Sequence, residues 1–271
     1  MRHLQEHFGV SERRACCVLG QPRSTQRYQS TRAERDADLR KQMKTLADKN
    51  PRYGYRRVAA LLRHDGWAVN LKRVHRLWRE EGLQVPQKQR KRRRIEGSEG
   101  VVRLAAAYPN HVWSYDFLFD TTENGRTIKL LAIVDEYTRE CLALEAARSI
   151  RSSDVIEVVD RIAARRGYPA HVRSDNGPEF IATALQEHLR DADAETRYID
   201  PGAPWQNAYV ESFNGKLRDE LLARESFGTL AEAQVLISAW RCHYNESRPH
   251  SSLNYQTPAA FAAAYSTSAV A

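Results

Sequence analysis

No stretch of this chain stays apolar over the ~20 residues that a membrane-spanning helix needs. Its opening, MRHLQEHFGVSERRACC, has no apolar core of the ~7–15 residues typical of a signal peptide, so a cytoplasmic protein is expected. Cysteine is scarce. Cys16, Cys17, Cys141 and Cys242 show neither CxxC spacing nor a secreted disulfide framework, which points to reduced thiols and away from a zinc site. Residues 1–30 carry no heptads, which excludes a coiled-coil zipper there. Acidic residues are scarce in the first hundred positions, where 25 Lys/Arg stand against 11 Asp/Glu, a net of +14. Residues 101–271 hold 17 and 23, a net of −6. With 42% hydrophobic and 28% charged residues the chain is globular rather than disordered. Its charge asymmetry suggests a nucleic-acid-binding arm joined to a second body. A basic half that serves solubility alone is the competing reading.

Helix signals dominate the basic half. Ser11 is placed to cap a short helix over 11–19 that Gly20 stops, and 33–48 aligns Leu39, Met43, Leu46 and Ala47 on one face. Helices over 54–64 and 71–81 flank the turn HDGWAVN, with Asn70 capping the second and Leu71, Val74, Leu77 and Trp78 inside it. Two short helices around a Gly-containing turn make a helix-turn-helix candidate. The second exposes Lys72, Arg73, Arg76 and Arg79, the charges that a helix at DNA uses, although a small bundle with a solvated basic face has the same pattern. The run VPQKQRKRRRIEGSEG (85–100) follows. Its Arg92, Arg93 and Arg94 suit phosphate contacts without sequence preference, or a solvated spacer.

Strand periodicity begins after this run. HVWSYDFLFD (111–120) alternates aromatic residues against Val112, Asp116 and Leu118, and Asn124-Gly125 makes a hairpin turn into TIKLLAIVD (127–135). ECLALEAA (140–147) is a third strand. A helix from Ser152 or Ser153 to about 166 ends at Gly167 and Pro169. HVRS (171–174) is a fourth strand, Pro178 opens a helix to about 189, and TRYID (196–200) is a fifth strand. In WQNAYVESFNGKLRDE (205–220), Val210, Phe213, Leu217 and Leu221 form one apolar stripe, with Glu211, Asn214 and Arg218 beside it. A last helix covers 229–246. The order β-β-β-α-β-α-β-α needs helices covering a mixed sheet and matches the ribonuclease-H-like arrangement.

Three carboxylates then acquire a common purpose. Asp116 lies mid-strand among aromatics, where a lone carboxylate is costly unless paired or bound to metal. Asp175 follows the fourth strand in an SDNG turn, where ordinary turn chemistry is the competing explanation. Glu211 is the third, with a solvated flank as its alternative. Convergent carboxylates suit hard cations such as Mg²⁺, or Mn²⁺ in its place, and two such ions clamp an in-line displacement at phosphorus.

YDF, SDNGPEF and ESFNGKLRDE, with 35 residues between Asp175 and Glu211, resemble the DDE motif of retroviral-type integrases and transposases. The match is closer to the second-frame (OrfB) transposases of the bacterial insertion-sequence-three family. RYGYRR (52–57), YNESRPHSSLNYQTPAA (244–260) and SERRACCVLGQPRSTQRY (11–28) are also similar to that family's text, so the resemblance spans essentially the whole chain. It implies Asp116, Asp175 and Glu211 as catalytic acids and metal ligands, with Mg²⁺ as cofactor. Arg218 would contact DNA phosphate, with Lys216 a weaker candidate. The implied organisation is a helix-turn-helix DNA-binding region (1–84), a basic linker (85–105), a ribonuclease-H-like integrase catalytic core (106–228) and a C-terminal helix and tail (229–271).

The activity implied is cleavage of insertion-element DNA ends and transfer of the freed 3′-hydroxyl. The implied partners are DNA, an upstream-frame product or fusion, and further copies of the chain, in a bacterial cytoplasm at the nucleoid. Two other readings compete: a non-catalytic DNA-binding protein from a decayed element, and a ribonuclease-H-like nuclease. Trp205, Gln206 and Asn207 are open between DNA contact and packing, and His111, His171 and His243 read as structural or solvent-facing. Tyr244, Asn245, Arg248 and His250 match the family tail without a mechanism of their own.

Overall fold

The computed structural model describes residues 2–28, 32–86, 104–174, 182–198 and 207–268. The chain divides into two compact units, Met1–Pro51 with Val69–Gln84, and Arg52–Ala68 with Val85–Ala271.

The first unit is helical: α1 (Arg2–Phe8), α2 (Glu12–Val18), α3 (Arg23–Arg27), α4 (Arg32–Lys49) and α6 (Leu71–Glu80). Caps set its boundaries. Ser11 accepts from the Arg14 amide at 3.4 Å, and Gly20, at φ 61°, ends the chain reversal after α2. Asn70 accepts from the Lys72 amide at 2.8 Å, as its position before the apolar stripe of α6 predicts. Leu39 and Met43 of α4, and Val74, Leu77 and Trp78 of α6, are buried.

The second unit contains α5 (Tyr55–His64) and a five-stranded sheet: β1 (Val112–Thr121), β2 (Thr127–Asp135), β3 (Cys141–Ala147), β4 (His171–Ser174) and β5 (Glu195–Tyr198). α5, expected as the first half of a helix-turn-helix, thus groups with the sheet. The strand order is β3-β2-β1-β4-β5. The β1–β2 and β2–β3 pairs are antiparallel, and β1–β4 and β4–β5 are parallel. Sheet and helices together are the mixed α/β arrangement expected of a ribonuclease-H-like core.

Period-2 alternation sorts the sheet's side chains to two cores. Leu118 of β1 and Ile128, Leu130, Ala132 and Val134 of β2 pack with α9 (Ala208–Leu217) and α10 (Leu230–Glu246). Trp113 and Tyr115 of β1 and Leu131 and Ile133 of β2 pack with α7 (Ser152–Arg166) and α8 (Thr183–Asp191). Burying Val210, Phe213 and Leu217 contributes ~1.5–3 kcal/mol each and seats α9 across β1 and β2. A π-helical turn, Arg218–Leu222, extends α9, and α11 (Pro258–Ser268) closes the described chain.

One helix start differs from expectation. The helix expected from Pro178 begins at Thr183, because Ala182 is extended at φ −59°, ψ 126°; Pro178 itself lies outside the described residues. α1, α3 and α11 have no counterpart in the sequence reading, whereas the π turn continues the apolar stripe of α9 through Leu221.

Candidate active site

Asp116 shares strand parity with Leu118, so its carboxylate lies on the sheet face covered by α9. Its β2 partner in register is the small Ala132. One oxygen, Oδ1, accepts from the Phe117 amide at 2.8 Å, and Oδ2 accepts from Asn214 Nδ2 at 2.8 Å. Since a carboxylate only accepts, the Asn214 amide is oriented with its nitrogen toward Asp116.

Glu211 stands three residues before Asn214 on α9, and residues at that spacing are neighbours on one helix face, with Cβ atoms ~5–6 Å apart. It is exposed and has no ion-pair partner among the described residues. Asp116 is therefore bonded to the flank of α9 that carries Glu211. Asp175 lies outside the described residues, directly after Ser174, the last residue of β4. The donors present are hard carboxylate oxygens, with the Glu211 carboxylate not engaged by any described cation. Such a set fits a divalent cation of the Mg²⁺ type.

β1 and β4 are braced beneath this point. Arg173, on β4 beside Ser114 in register, donates to both carboxylate oxygens of Glu136 at 2.7 and 2.8 Å and to the Leu104 carbonyl at 2.9 Å. Ser114 donates to the same carboxylate. Arg173 and Glu136 are both buried, so each offsets the other's desolvation cost.

The cationic residues separate into groups. Lys72 and Arg79 are exposed on α6. Arg73 and Arg76 instead hold Asp36 of α4, each at 2.7 Å. Burial pushes the Asp36 carboxyl up, but the hydrogen bonds from Arg76 and Arg73 outweigh it and hold it below the usual carboxylate value. Arg218 is exposed on the first residue of the π turn, with no ion pair among the described residues. Lys216 is half-buried, donating to the Ser212 carbonyl at 3.0 Å and hydroxyl at 2.8 Å. Arg92, Arg93, Arg94, Trp205 and Gln206 lie outside the described residues, and Asn207 is buried at the head of α9 without a side-chain cap bond.

Sequence reasoning missed a polar network at the C-terminal end of α9. Arg248, 1% exposed, donates through Nε and Nη2 to the Glu220 carboxylate, its best-formed Nε bond being 2.9 Å. Arg52 grips Asp219 at 2.9 and 2.6 Å. Tyr53 hydroxyl meets His243 Nε2 at 3.0 Å. Tyr244 packs edge-on against Phe213 and His250 at centroid distances of 4.9 and 4.7 Å. Asn245 pairs with both the amide and the carbonyl of Cys141, extending the ladder at the edge of β3. RYGYRR and the 244–250 tail thus converge on one helix end from positions almost 200 residues apart. Their unusual density of Arg and Tyr was the available signal, but it named no partner.

Comparisons with known proteins agree with this fold. An integrase core domain model matches residues 106–204, a second integrase core model matches 192–258, and an HTH-like domain model matches 34–92. The chain is 42% identical, over 99% of its length and 96% of the relative's, to a 31.7 kDa protein of insertion element IS407 from Burkholderia multivorans. It is 27% identical to the transposase of insertion sequence element IS629 from Shigella sonnei, over 97% of this chain and 94% of that one. Its fold is similar to a chain of the simian T-cell lymphotropic virus intasome, with TM-score 0.50 at 19% identity, covering 81% of this chain and 74% of that one.

Proposed function

The chain belongs to the OrfB-type DDE transposases of the insertion-sequence-three family, and from that premise we propose that Asp116, Asp175 and Glu211 are the acids of its active site. The observation that carries this reading is the Asn214–Asp116 hydrogen bond, which joins the carboxylate of β1 to a residue one helical turn from Glu211. The β1–β4 pairing, Ser114 with Arg173, supports Asp175 as the third acid, because β4 ends beside the strand that carries Asp116.

Integrase-type cores use divalent metal ions. In this reading the three carboxylates hold two, Mg²⁺ or Mn²⁺. Ions held by Asp116, Asp175 and Glu211 would supply Lewis-acid activation of the attacking oxygen and stabilisation of the leaving one at phosphorus. Asn214 fixes the orientation of Asp116, and α9 presents Glu211 from a rigid element. Arg218, two turns beyond Glu211, neutralises a DNA phosphate. Water attacks the phosphodiester at the element's end and releases a 3′-hydroxyl, which then attacks a phosphorus of target DNA with the same acids serving both steps.

Exposed Lys72 and Arg79 contact DNA, and Arg92, Arg93 and Arg94 add phosphate contacts without sequence preference. Arg73 and Arg76 act first as braces on Asp36. The active form is an oligomer on DNA, joined by an upstream-frame product, in the bacterial cytoplasm. Among the described residues no helix is long and apolar enough to cross a membrane.

The test is made in cells carrying the gene with its native flanking DNA. Amplification across the two element ends yields a joined junction with wild type and none with Glu211→Gln or Asp116→Asn, although both variants bind DNA within a few-fold of wild type. A junction from Glu211→Gln would overturn the assignment. DNA cleavage without joining would favour a nuclease.

A further inference from the structure

The segment 11–28 lies outside the residues matched by the integrase core and HTH-like models, and it folds into a pair of short helices, α2 and α3. Both belong to one compact unit, whereas α5 and α6 fall in different ones. Four residues join them: Leu19, Gly20, Gln21 and Pro22. The turn is closed by backbone bonds. Gly20, at φ 61°, donates to the Cys17 carbonyl at 3.2 Å, and Gln21 donates to the Cys16 carbonyl at 3.0 Å. The Pro22 carbonyl then accepts from the Thr25 amide at 3.1 Å, which starts α3. Ala15 and Cys16, small and buried, form the inner face of α2.

We propose that α2 and α3 are a helix-turn-helix of their own, in which the outward face of α3 reads base edges in the major groove of duplex DNA. The inference shares its partner, DNA, with the reading above, but does not depend on the acids assigned there.

Three observations carry it. First, one carboxylate orients α3. Glu12 of α2 accepts from Arg23 Nε at 3.1 Å and from Arg27 Nε at 2.8 Å, residues one turn apart on the same side of α3. Two anchors on one side fix which face turns outward.

Second, that outward face carries unengaged hydroxyls. At about 100° per residue, Thr25 lies opposite the Arg23–Arg27 line and Ser24 about a quarter turn from it. Both are exposed, and neither side chain has a hydrogen bond among the described residues. A hydroxyl donates and accepts, so it pairs with either kind of base edge. The five residues of α3 are about 7.5 Å long, which fits a major groove about 12 Å wide and spans about two base-pair steps.

Third, the free cations lie on the other helix. Arg13 and Arg14 of α2 are exposed and have no ion pair among the described residues. Residues 1–28 hold 5 Lys/Arg against 2 Asp/Glu, a net of +3. A first helix that meets the phosphates while the second enters the groove is how a helix-turn-helix divides positioning from readout. A packing role alone explains Ala15, Cys16 and the Glu12 anchors, but it assigns nothing to the unbonded face of α3.

The experiment uses the full chain in EDTA and two probes, the native element-end duplex and a shuffled duplex of equal length and composition. Ser24→Ala and Thr25→Ala are each expected to lower the end-to-shuffled affinity ratio about fivefold, with binding to the shuffled duplex unchanged. Arg13→Gln and Arg14→Gln are expected to weaken both duplexes alike and to flatten each slope of log K against log salt by about 0.9. Glu12→Ala adds net positive charge yet releases α3, so the ratio is expected to fall while binding to the shuffled duplex holds or tightens. A 7-deazapurine, which removes a major-groove acceptor, is moved along the end duplex. It is expected to weaken wild type at one short run of bases and to leave Thr25→Ala less affected there.

Thermal melts identify any variant that fails to fold, for which the remaining variants decide. An unchanged ratio in folded Ser24→Ala and Thr25→Ala would overturn the proposal. Weaker binding to both duplexes with the ratio kept would also overturn it, since that is phosphate contact alone. A fall in sedimenting mass with the ratio kept would make this face a protein interface instead. Unchanged ratios beside Glu211-dependent junctions defeat only the α3 assignment, whereas junctions that survive Glu211→Gln defeat only the active-site reading.

Discussion

Asn214 Nδ2 donates to Asp116 Oδ2 across 2.8 Å, joining α9 to β1 over 98 positions of sequence. Partners that orient metal-binding side chains are worth about 10–100-fold in affinity or activity. Asn214→Ala is therefore expected to lower DNA cleavage by about tenfold or more while leaving DNA affinity intact, as read from cleavage rates and metal-free binding. Normal cleavage by a folded Asn214→Ala protein would remove the residue from the site. The Asn214 Oδ1 atom is buried and has no partner among the described residues, so the bond to Asp116 is what fixes the amide's orientation.

Glu220→Gln leaves the buried Arg248 guanidinium without its counter-charge. Breaking one half of a buried pair costs about 3–5 kcal/mol, whereas replacing both halves with apolar groups is often near neutral. Chemical denaturation should accordingly show Glu220→Gln strongly destabilised, and Glu220→Leu combined with Arg248→Met much less so. A small effect of the single substitution would mean that solvent reaches Arg248.

In the helical unit, the Asp36 carboxyl is held below its ordinary value, so its contribution to stability is complete above the unfolded value, near ~3.9, and is lost as pH falls through the lower folded value. Asp36→Asn should destabilise at neutral pH and lose less stability than wild type on acidification below about pH 4. Parallel melts from pH 3 to 7 measure this. Identical acid slopes would mean that Arg73 and Arg76 do not hold the carboxylate in solution.

Burial, followed by the Arg248, Lys216 and Arg57 charges, lowers the His250 imidazole to about 3. The unfolded chain takes up a proton at this ring near ~6.5, whereas the folded chain does not until far lower pH. Stability from His250 is thus present above about pH 6.5 and declines as pH falls toward the folded value. His250→Gln should flatten the stability profile between pH 4 and 6.5 in the absence of anions. An unchanged profile would mean that the folded ring titrates normally.

Local rules made much of the architecture legible. TIKLLAIVD is legible as a strand, whose parity divides its side chains between two faces, and Asn70, Ser11 and Gly167 mark helix ends where caps and positive φ occur. Parity alone predicts that Asp116 and Leu118 share a face, and spacing on α9 predicts Glu211 beside Asn214. These periods, 2.0 for a strand and 3.6 for a helix, are properties of a few consecutive residues, which a sequence displays directly.

Which helix covers which sheet face, and which charge meets which, depends on contacts between residues far apart in sequence. Arg73 and Arg76 look like free DNA-facing charges on α6 until α4 brings Asp36 against them. Arg248 and Arg52 look like surface residues in an exposed motif until Glu220 and Asp219 meet them at the end of α9. A side chain's periodicity states the direction in which it points, but its energy depends on what has been desolvated opposite it. Sequence alone therefore determined the strand and helix pattern and the acids to suspect, while tertiary packing decided which cations are braces and which remain available to DNA.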